Sequence, residues 1–349
     1  MINKTMILSN ISVYGIAHAL VDATCAALIL SMGPAGVQGY LALIVMYNVL
    51  AFALQSPFGI LADRFRIPVP AAIVGLLLVA TSTLFSGTPF AAAAIAGIGN
   101  ALFHVGGGVI SLNLLPGKAT MPGIYVAPGA LGLMIGGLVG RSGQFAAWPF
   151  ILLLVGAALL IWRIPRPAIR YDIALEGQFR WFETAILLLL FSIAIRGLVG
   201  ASLVLPWKSN PTLLVTLTMA VVLGKGLGGV LADRLGWNRV ALAGLAVAAP
   251  LLSFFSIYPA LAIIGAFCFN LTMPVTLTAI ANMLPGRDGF AFGLTTLALI
   301  VGVLPTYTEL EMVAGGRLFL LSTIVVSIVV LYGGLKLAVD RFHIKPQSG

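Results

Sequence analysis

Gly59-Ile60-Leu61-Ala62-Asp63-Arg64 is repeated almost unchanged as Gly229-Val230-Leu231-Ala232-Asp233-Arg234, 170 positions further along the chain. A second segment, Asn-Leu-Leu-Pro-Gly-Lys at 113–118, recurs as Asn-Met-Leu-Pro-Gly-Arg at 282–287 with an offset of 169. Two local matches at nearly one offset indicate an internal duplication. The sequence therefore predicts two halves of the same architecture.

The composition predicts that lipid surrounds both halves. Charged residues make up only 8% of the chain and hydrophobic residues 60%, whereas soluble globular proteins carry about 25% charged residues. So few charges cannot cover a surface that faces water, but they suffice for one that faces lipid. Several apolar stretches also exceed about 18 residues, the length that crosses a bilayer. The two cysteines, Cys25 and Cys268, fall inside such stretches and are interpreted as small buried hydrophobic residues.

Apolar runs separated by turn-forming glycine and proline residues predict an all-α membrane protein with twelve transmembrane helices, six in each half. Six helices bring the second half back into the membrane in the orientation of the first, which makes a parallel repeat. The only long polar interruption separates spans six and seven. We predict an N-terminal bundle at 1–163, a cytoplasmic linker at 164–180 and a C-terminal bundle at 181–349. The predicted spans are 7–31, 39–62, 68–86, 89–115, 121–140, 146–163, 181–205, 212–233, 238–256, 259–284, 288–306 and 317–339.

The basic residues predict the orientation of these helices. With the N-terminus in the cytoplasm, only Arg141, Lys208 and Arg317 fall on the outer side, and Arg196 and Lys225 fall inside spans. All other Lys and Arg residues fall on the inner side, as the positive-inside rule requires. Topology thus explains the excess of 19 Lys and Arg over 10 Asp and Glu without a nucleic-acid partner. We expect an integral protein of the plasma membrane (the inner membrane of a bacterium) with both termini cytoplasmic.

The repeated segment resembles the cytoplasmic loop motif of major facilitator superfamily transporters: Gly, three residues, Asp-Arg, one residue, Gly, and then basic residues. The second copy has the full pattern and ends on Gly236 and Arg239, whereas the first copy carries Arg66 in place of the second glycine. The resemblance implies the two-bundle major facilitator fold and secondary transport. It also implies a role in conformational switching for the loop residues Gly59, Asp63, Arg64, Gly229, Asp233 and Arg234.

Three shorter segments are similar to the fosmidomycin-resistance branch of that superfamily. They are His18-Ala-Leu-Val-Asp22 in span one, Ala101-Leu-Phe-His104 in span four and Arg196-Gly-Leu-Val-Gly200 in span seven. The branch resemblance implies export of a small polar or anionic compound by an antiporter. The glycines of span five, however, do not have the spacing typical of drug antiporters.

Ionisable side chains inside spans are functional candidates, because each costs about 2.5–3.5 kcal/mol at a helix centre. His18 and Asp22 are four residues apart and share one helix face, so together they can take up and relay a proton. Arg196 keeps its charge and needs a counter-charge. We therefore predict an Asp22–Arg196 pair, which protonation of Asp22 would open so that Arg196 binds an anionic substrate. The competing interpretations are a His18–Asp22 pair that only fastens helices and a permanent Asp22–Arg196 clamp.

Polar residues in spans four and ten predict further substrate contacts. Asn100 and His104 share a stripe with small residues, which suits either a cavity or close helix packing. Asn270 is the candidate in span ten, where Pro274 predicts a kink. Lys225 lies in the inner half of span eight, so we expect its side chain to extend to the inner edge of the membrane.

The leading hypothesis is a monomeric, proton-coupled secondary transporter without a cofactor. No glycine-rich loop ending in Gly-Lys-Ser/Thr is present to bind ATP, so an ion gradient would supply the energy. Uptake of an organic anion is an open variant. A second hypothesis makes His18, Asp22 and His104 the ligands of a transported divalent metal, provided that they converge; no resident metal site is assigned. An intramembrane enzyme and a membrane assembly factor are two further hypotheses, because a fold does not by itself fix a function.

Overall fold

The computed structural model describes residues 4–171, 181–307 and 316–339. Within these ranges the chain forms fourteen α-helices and two short 3-10 turns, Thr83–Phe85 and Leu304–Tyr307. The helices are α1 (Lys4–Ser31), α2 (Tyr40–Ala53), α3 (Gln55–Phe65), α4 (Pro68–Ser82), α5 (Pro89–Leu114), α6 (Thr120–Arg141), α7 (Ala147–Arg163), α8 (Phe182–Ser202), α9 (Pro211–Leu235), α10 (Trp237–Phe254), α11 (Pro259–Asn270), α12 (Thr272–Met283), α13 (Asp288–Val303) and α14 (Arg317–Val339).

Two of the predicted spans are each divided into two helices. The second span breaks at Leu54, between α2 and α3, and the tenth breaks at Leu271, between α11 and α12. Each break lies three residues before a proline, Pro57 or Pro274. Proline has no N–H group to donate to the carbonyl four residues earlier, and its ring crowds that carbonyl. The kink predicted from Pro274 is therefore confirmed, and Pro57 produces a second one.

The chain is an integral membrane protein. Eleven helical stretches in the described ranges are long and apolar enough to cross a membrane, with the two halves of each broken span counted together. Ala147–Arg163 is a twelfth apolar helix and is shorter. Large apolar side chains also point outward: Leu152 and Leu187 are each 64% exposed. Such a surface is stable against lipid tails and unstable against water.

The buried apolar side chains form two separate clusters. One is built from side chains of α1 to α7, joined by Leu277 and Phe292 from the second half of the chain. The other is built from side chains between 185 and 338, joined by Leu112 from the first half. Each half of the sequence therefore has its own hydrophobic core, and only a few side chains cross from one core to the other.

Helices α1 and α6 pack with their backbones in close contact along a stripe of glycines. A Cβ atom at any of three positions on α6, four residues apart, would overlap a backbone carbonyl of α1. Small residues at this spacing let two helices approach closely in a membrane. The pairs are Gly132 with Ala19, Gly136 with Ala23, and Gly140 with Ala27.

The turn after α3 is tight although it lacks the glycine of the repeated motif. Arg66 has φ 58° and ψ 41°, the left-handed conformation, and its N–H group points to the carbonyls of Ala62 and Asp63. Among the described residues it is the only non-glycine with positive φ. This conformation is uncommon for a side chain of this size. The first copy of the motif therefore keeps the tight turn with arginine in the glycine's place.

Residues 172–180 of the predicted linker lie outside the described ranges.

Candidate functional site

A cluster of three buried polar side chains lies between α1 and α5, near the middle of both helices. His18 and Asp22 project from α1, and His104 projects from α5; they are 5%, 8% and 9% exposed. Asp22 Oδ2 is 3.3 Å from His18 Nε2, and Asp22 Oδ1 is 3.6 Å from His104 Nε2. The two Nε2 atoms are 2.9 Å apart. We call His18, Asp22 and His104 the His–Asp cluster.

Backbone carbonyls determine the tautomer of both histidines in this cluster. His18 Nδ1 is 2.8 Å from the carbonyl oxygen of Tyr125, and His104 Nδ1 is 2.9 Å from that of Asn100. A carbonyl oxygen only accepts hydrogen bonds, so both Nδ1 atoms carry a proton and donate it. A neutral imidazole with its proton on Nδ1 has a lone pair on Nε2. Two lone pairs 2.9 Å apart would repel each other, so the contact requires a proton between the two Nε2 atoms.

The aspartate supplies the counter-charge for that shared proton. Two imidazoles with one extra proton carry a single positive charge, and each carboxylate oxygen of Asp22 faces one of the rings. Asn100 adds a donor, with Nδ2 3.4 Å from Asp22 Oδ1 and 3.3 Å from the hydroxyl of Tyr47. Burial of this group is tolerable because its charges and polar atoms have partners. The structure thus brings together four of the predicted site residues, the cluster and Asn100.

Helix α6 closes the remaining side of the cluster. A Cβ atom on Gly129 would lie 2.6 Å from Asp22 Oδ2 and still closer to His18 Nε2. The cluster therefore fills the space that a side chain at position 129 would need. The predicted site did not include Gly129 or Tyr125. Gly129 matters because it has no side chain, and Tyr125 acts through its backbone carbonyl, so neither stands out in the sequence.

Arg196 does not pair with Asp22, and this part of the sequence prediction is wrong. Its guanidinium donates from Nη1 to the hydroxyl of Thr276, 3.1 Å away on α12. No acidic side chain in the described ranges lies within 4.0 Å of it. Asp22 has nearer partners in His18 and His104, on its own helix and on α5. Arg196 is therefore a partly buried cation on the C-terminal half without a carboxylate beside it.

Lys225 faces the interior, contrary to the prediction that it extends to the inner membrane edge. Its charge interacts electrostatically with Asp22 and with Arg196. The backbone of Lys225 also packs against α6, where a Cβ on Gly123 would lie 2.7 Å from the Lys225 carbonyl oxygen. Lys225 on α9 thus lies at the boundary between the two halves, close enough to the His–Asp cluster for its charge to act on Asp22.

Asn270, the candidate in span ten, belongs to the surroundings of Lys225. Its Nδ2 donates to the carbonyl of Ala266, 2.8 Å away in its own helix. The Asn270 Cβ packs against Gly224, the residue before Lys225, at 2.9 Å from where a Cβ of that glycine would lie. Asn270 makes no hydrogen bond to the His–Asp cluster in the described part of the chain.

The two aspartates of the repeated motif join the halves on the linker side, where α3, α5, α7, α9 and α12 end. Asp63 accepts hydrogen bonds from the N–H groups of Gly289 and Phe290, both 2.9 Å away in the first turn of α13. Asp233 accepts from the N–H groups of Ala119 and Thr120 at the start of α6, at 3.0 and 2.9 Å. A carboxylate at a helix N-terminus is favourable, because free N–H groups and the helix dipole meet there.

The other residues of the motif pack or face outward. Gly59 and Gly229 allow the helices to meet, because a Cβ at either position would overlap the backbone of Gly289 or of Ala119. The side chains of Arg64 and Arg234 are exposed. The motif therefore forms two equivalent contacts, α3 with α13 and α9 with α6, which we call the linker-side latches.

Asp63→Asn is expected to speed amide hydrogen exchange at the start of α13 by about tenfold or more. The substitution removes the charge from two charge-assisted hydrogen bonds, each worth about 1.5–3 kcal/mol, and turns an amide NH₂ toward an N–H donor. Hydrogen-exchange mass spectrometry of peptides that include 288–291 measures the effect. Arg64→Gln, at the exposed neighbour, should leave the rate unchanged. Equal exchange in Asp63→Asn and wild type would contradict the assignment of the latch.

A cavity of about 470 Å³ opens on the linker side between the latches. It is lined by residues of both copies of the second repeated segment, among them Asn113, Lys118 and Asn282, and by Asp288 at the start of α13. Asn113 Nδ2 donates to Asp288 Oδ2, 2.7 Å away, and so connects the two halves again. No residue of the His–Asp cluster lines this cavity. The buried cluster and the linker-side cavity are therefore separate features.

No protein-family model matches the chain, and no curated protein matches its sequence. Solved structures match its fold. The fucose:proton symporter FucP of E. coli has 15% identity and a TM-score of 0.66, over 96% of this chain and 98% of that one. A second structure of FucP, in the outward conformation, has 14% identity and a TM-score of 0.66 over 93% and 99%. The human organic anion transporter MFSD10 has 14% identity and a TM-score of 0.69 over 93% and 99%.

The chain has the major facilitator fold. At 14–15% identity the likeness extends to the arrangement of helices across nearly the full length of both partners. In the major facilitator fold the substrate site lies near the middle of the membrane, between the two halves. The His–Asp cluster lies near the middle of α1 and α5 in the first half of the chain, and Arg196 and Lys225 lie on α8 and α9 in the second half.

Proposed function

We propose that this chain is a secondary transporter that exchanges protons for a small polar or anionic compound by alternating access. The moving halves are the bundles at 1–163 and 181–349. Three features beyond the fold support the proposal: a buried group that holds a proton, two cations on the other half of the chain, and contacts that close one side of the boundary between the halves.

Proton coupling is supported chiefly by the 2.9 Å contact between the Nε2 atoms of His18 and His104. Because both Nδ1 protons are held by backbone carbonyls, the contact needs an exchangeable proton at its centre. Histidine gains and loses protons near neutral pH. When this proton leaves, two lone pairs face each other beside Asp22, which favours separation of α1 and α5. The protonation state is thereby linked to helix packing.

The substrate class follows from the charges of the C-terminal half. Arg196 has no carboxylate partner within 4.0 Å in the described ranges, and Lys225 lies close enough to interact with it. Two cations near each other repel, so an anion between them is stabilised by both. Arginine also matches carboxylate and phosphate groups with two parallel hydrogen bonds. We therefore propose that Arg196 and Lys225 bind the anionic group of the substrate, with Asn270 alongside.

Alternating access is supported by the separate cores and by the linker-side latches. Because each half has its own hydrophobic cluster, the halves can move as rigid bodies. The latches join them through hydrogen bonds to helix ends, which break and re-form more readily than a packed core. Release of Asp63 and Asp233 would open the linker side of the site. This side is the cytoplasm in the proposed orientation, with both termini on it.

We propose export as the direction, in line with the similarity of three short segments to the fosmidomycin-resistance branch. The proposed location is the bacterial inner membrane, where a proton gradient is available, and the proposed functional unit is the single chain. Uptake of an organic anion would use the same residues. The direction of the pH gradient that drives flux distinguishes export from uptake.

Flux in proteoliposomes, with and without a pH gradient, tests the proposal. A panel of small organic anions and cations should show gradient-driven transport of one or more anions and of no cation. Asp22→Asn and His104→Gln should each lower the gradient-driven rate at least about tenfold, which is less than the roughly 10²–10⁴-fold that a proton-transfer group typically contributes in catalysis. Arg196→Gln should mainly raise the substrate concentration needed for half-maximal flux, because it removes a binding charge.

Lys118→Gln is a matched control, since its side chain is exposed on the linker side. It should transport at the wild-type rate. Variants are compared only as monodisperse, folded protein. If Asp22→Asn still responded fully to the pH gradient, proton coupling through the cluster would be wrong. Transport of cations alone would contradict the substrate class.

A further inference from the structure

We propose that the His–Asp cluster also binds one divalent transition-metal ion, in place of the shared proton. The ligands are Nε2 of His18, Nε2 of His104 and one carboxylate oxygen of Asp22. The donor atoms of these three residues lie within 4.8 Å of one another. The proposal stands on this geometry and holds whether or not the chain couples transport to protons.

The two Nε2 lone pairs are already directed toward a common point. The carbonyls of Tyr125 and Asn100 hold the Nδ1 protons at 2.8 and 2.9 Å, so Nε2 is the free donor atom in both rings. Ring nitrogens that ligate a metal nearly always have this arrangement, with the other N–H group bound to a carbonyl or carboxylate. The outer contacts that a metal site requires are thus present, and they come from two different helices, α6 and α5.

The distances fit a metal site after a small movement. A tetrahedral ion with bonds of 2.0–2.1 Å has ligand atoms about 3.3–3.4 Å apart. The imidazole–carboxylate distances are near this value but involve different oxygens of Asp22: His18 Nε2 is 3.3 Å from Oδ2, and His104 Nε2 is 3.6 Å from Oδ1. The carboxylate would therefore have to turn for one oxygen to bind the same ion as both rings, and the donor atoms already lie within 4.8 Å of one another. The Nε2–Nε2 distance of 2.9 Å would need to lengthen by about 0.4 Å. Three protein ligands leave a fourth position for water or another small ligand.

The donor set favours one class of ion. Two imidazoles and one carboxylate suit zinc, cobalt, nickel and related transition metals. Calcium and magnesium prefer a shell of oxygen ligands, which this site does not provide. The nearby charge of Lys225, which interacts with both Asp22 and His104, opposes a doubly charged ion. Removing that charge should therefore strengthen metal binding at the cluster. The affinity of a metal ion bound elsewhere on the surface would not change.

The test is Co²⁺ binding to the purified full chain without a polyhistidine tag, followed by visible absorption and by calorimetry in two buffers. One ion should bind per chain, and its binding should release one proton, because the ion displaces the proton between the histidines. His18→Gln and His104→Gln should each weaken binding at least about tenfold. Lys225→Gln should tighten it severalfold. His343, the remaining histidine of the chain, lies outside the described residues, and His343→Gln serves as the matched control.

Unchanged affinity in both cluster variants, or an equal loss in His343→Gln, would overturn the site. If the cluster variants fail to fold, the wild type and Lys225→Gln decide. Co²⁺ binding to the wild type without proton release, together with unchanged affinity in Lys225→Gln, would also overturn the site. Because binding is measured in detergent without transport, the two proposals fail separately. A chain that binds Co²⁺ but shows no gradient-driven flux retains the metal site and loses proton coupling, and the reverse result retains only the coupling.

Discussion

Gly129→Ala is expected to reduce gradient-driven transport by about tenfold or more while leaving every titratable group in place. A Cβ atom at this position would lie 2.6 Å from Asp22 Oδ2 and even closer to His18 Nε2. The His18 ring must then move away from His104 and from the Tyr125 carbonyl, which separates the two Nε2 atoms. A shift of about 1 Å in a catalytic arrangement can lower a rate about a hundredfold, so tenfold is a modest expectation.

The rate is measured in proteoliposomes with an imposed pH gradient and the anion identified in the wild-type panel. Gly156→Ala on α7 is the matched control, because a Cβ atom there meets nothing within 4 Å. Alanine is also the better helix former, so the Gly129→Ala chain should still fold. Wild-type transport by Gly129→Ala would mean that the spacing of the cluster does not matter to the activity.

Gly136→Val is expected to lower the stability of the N-terminal half by about 3 kcal/mol, the upper part of the range for overpacked cores. A Cβ atom on Gly136 would overlap the carbonyl of Ala23 on α1. A backbone atom inside a helix cannot move aside as a flexible side chain can. Helices α1 and α6 would therefore have to separate along the whole glycine stripe.

Thermal unfolding in detergent, followed by circular dichroism, measures this loss. Gly137→Val makes the same chemical change one residue further along, where the nearest atom to a Cβ is Leu30 Cδ1 at 3.6 Å. The thermal unfolding midpoint of Gly137→Val should stay close to that of the wild type. Equal midpoints for the two variants would show that close approach of α1 and α6 contributes little to stability.

Most of the fold could be predicted from the sequence. The apolar runs predicted twelve helices close to their observed bounds, and Pro274 predicted the break in span ten, because a missing N–H group acts locally. The resemblance of the repeated motif implied a role in conformational switching for Asp63 and Asp233. Their hydrogen-bond partners, Gly289 and Ala119 among them, were not predictable, because they lie on the other half of the chain.

The candidate site could be predicted only in part. His18, Asp22 and His104 stood out because polar side chains are rare and unfavourable inside spans. Their convergence, and the choice of His104 over Arg196 as a partner of Asp22, depends on how α1 and α5 pack. The orientation of Lys225 was predicted wrongly for a related reason: a helix that is apolar on all sides does not reveal which face points inward.

The sequence by itself determined that this is a helical membrane protein with two repeated segments and a few polar residues inside its spans, because length, hydropathy and proline act along the chain. Only the tertiary structure decided which of those residues meet and what they can bind. Glycines on α6 bring its backbone against α1, and backbone carbonyls on α5 and α6 direct two histidine lone pairs at each other. These contacts join atoms far apart in sequence, and no local pattern specifies the distance between them.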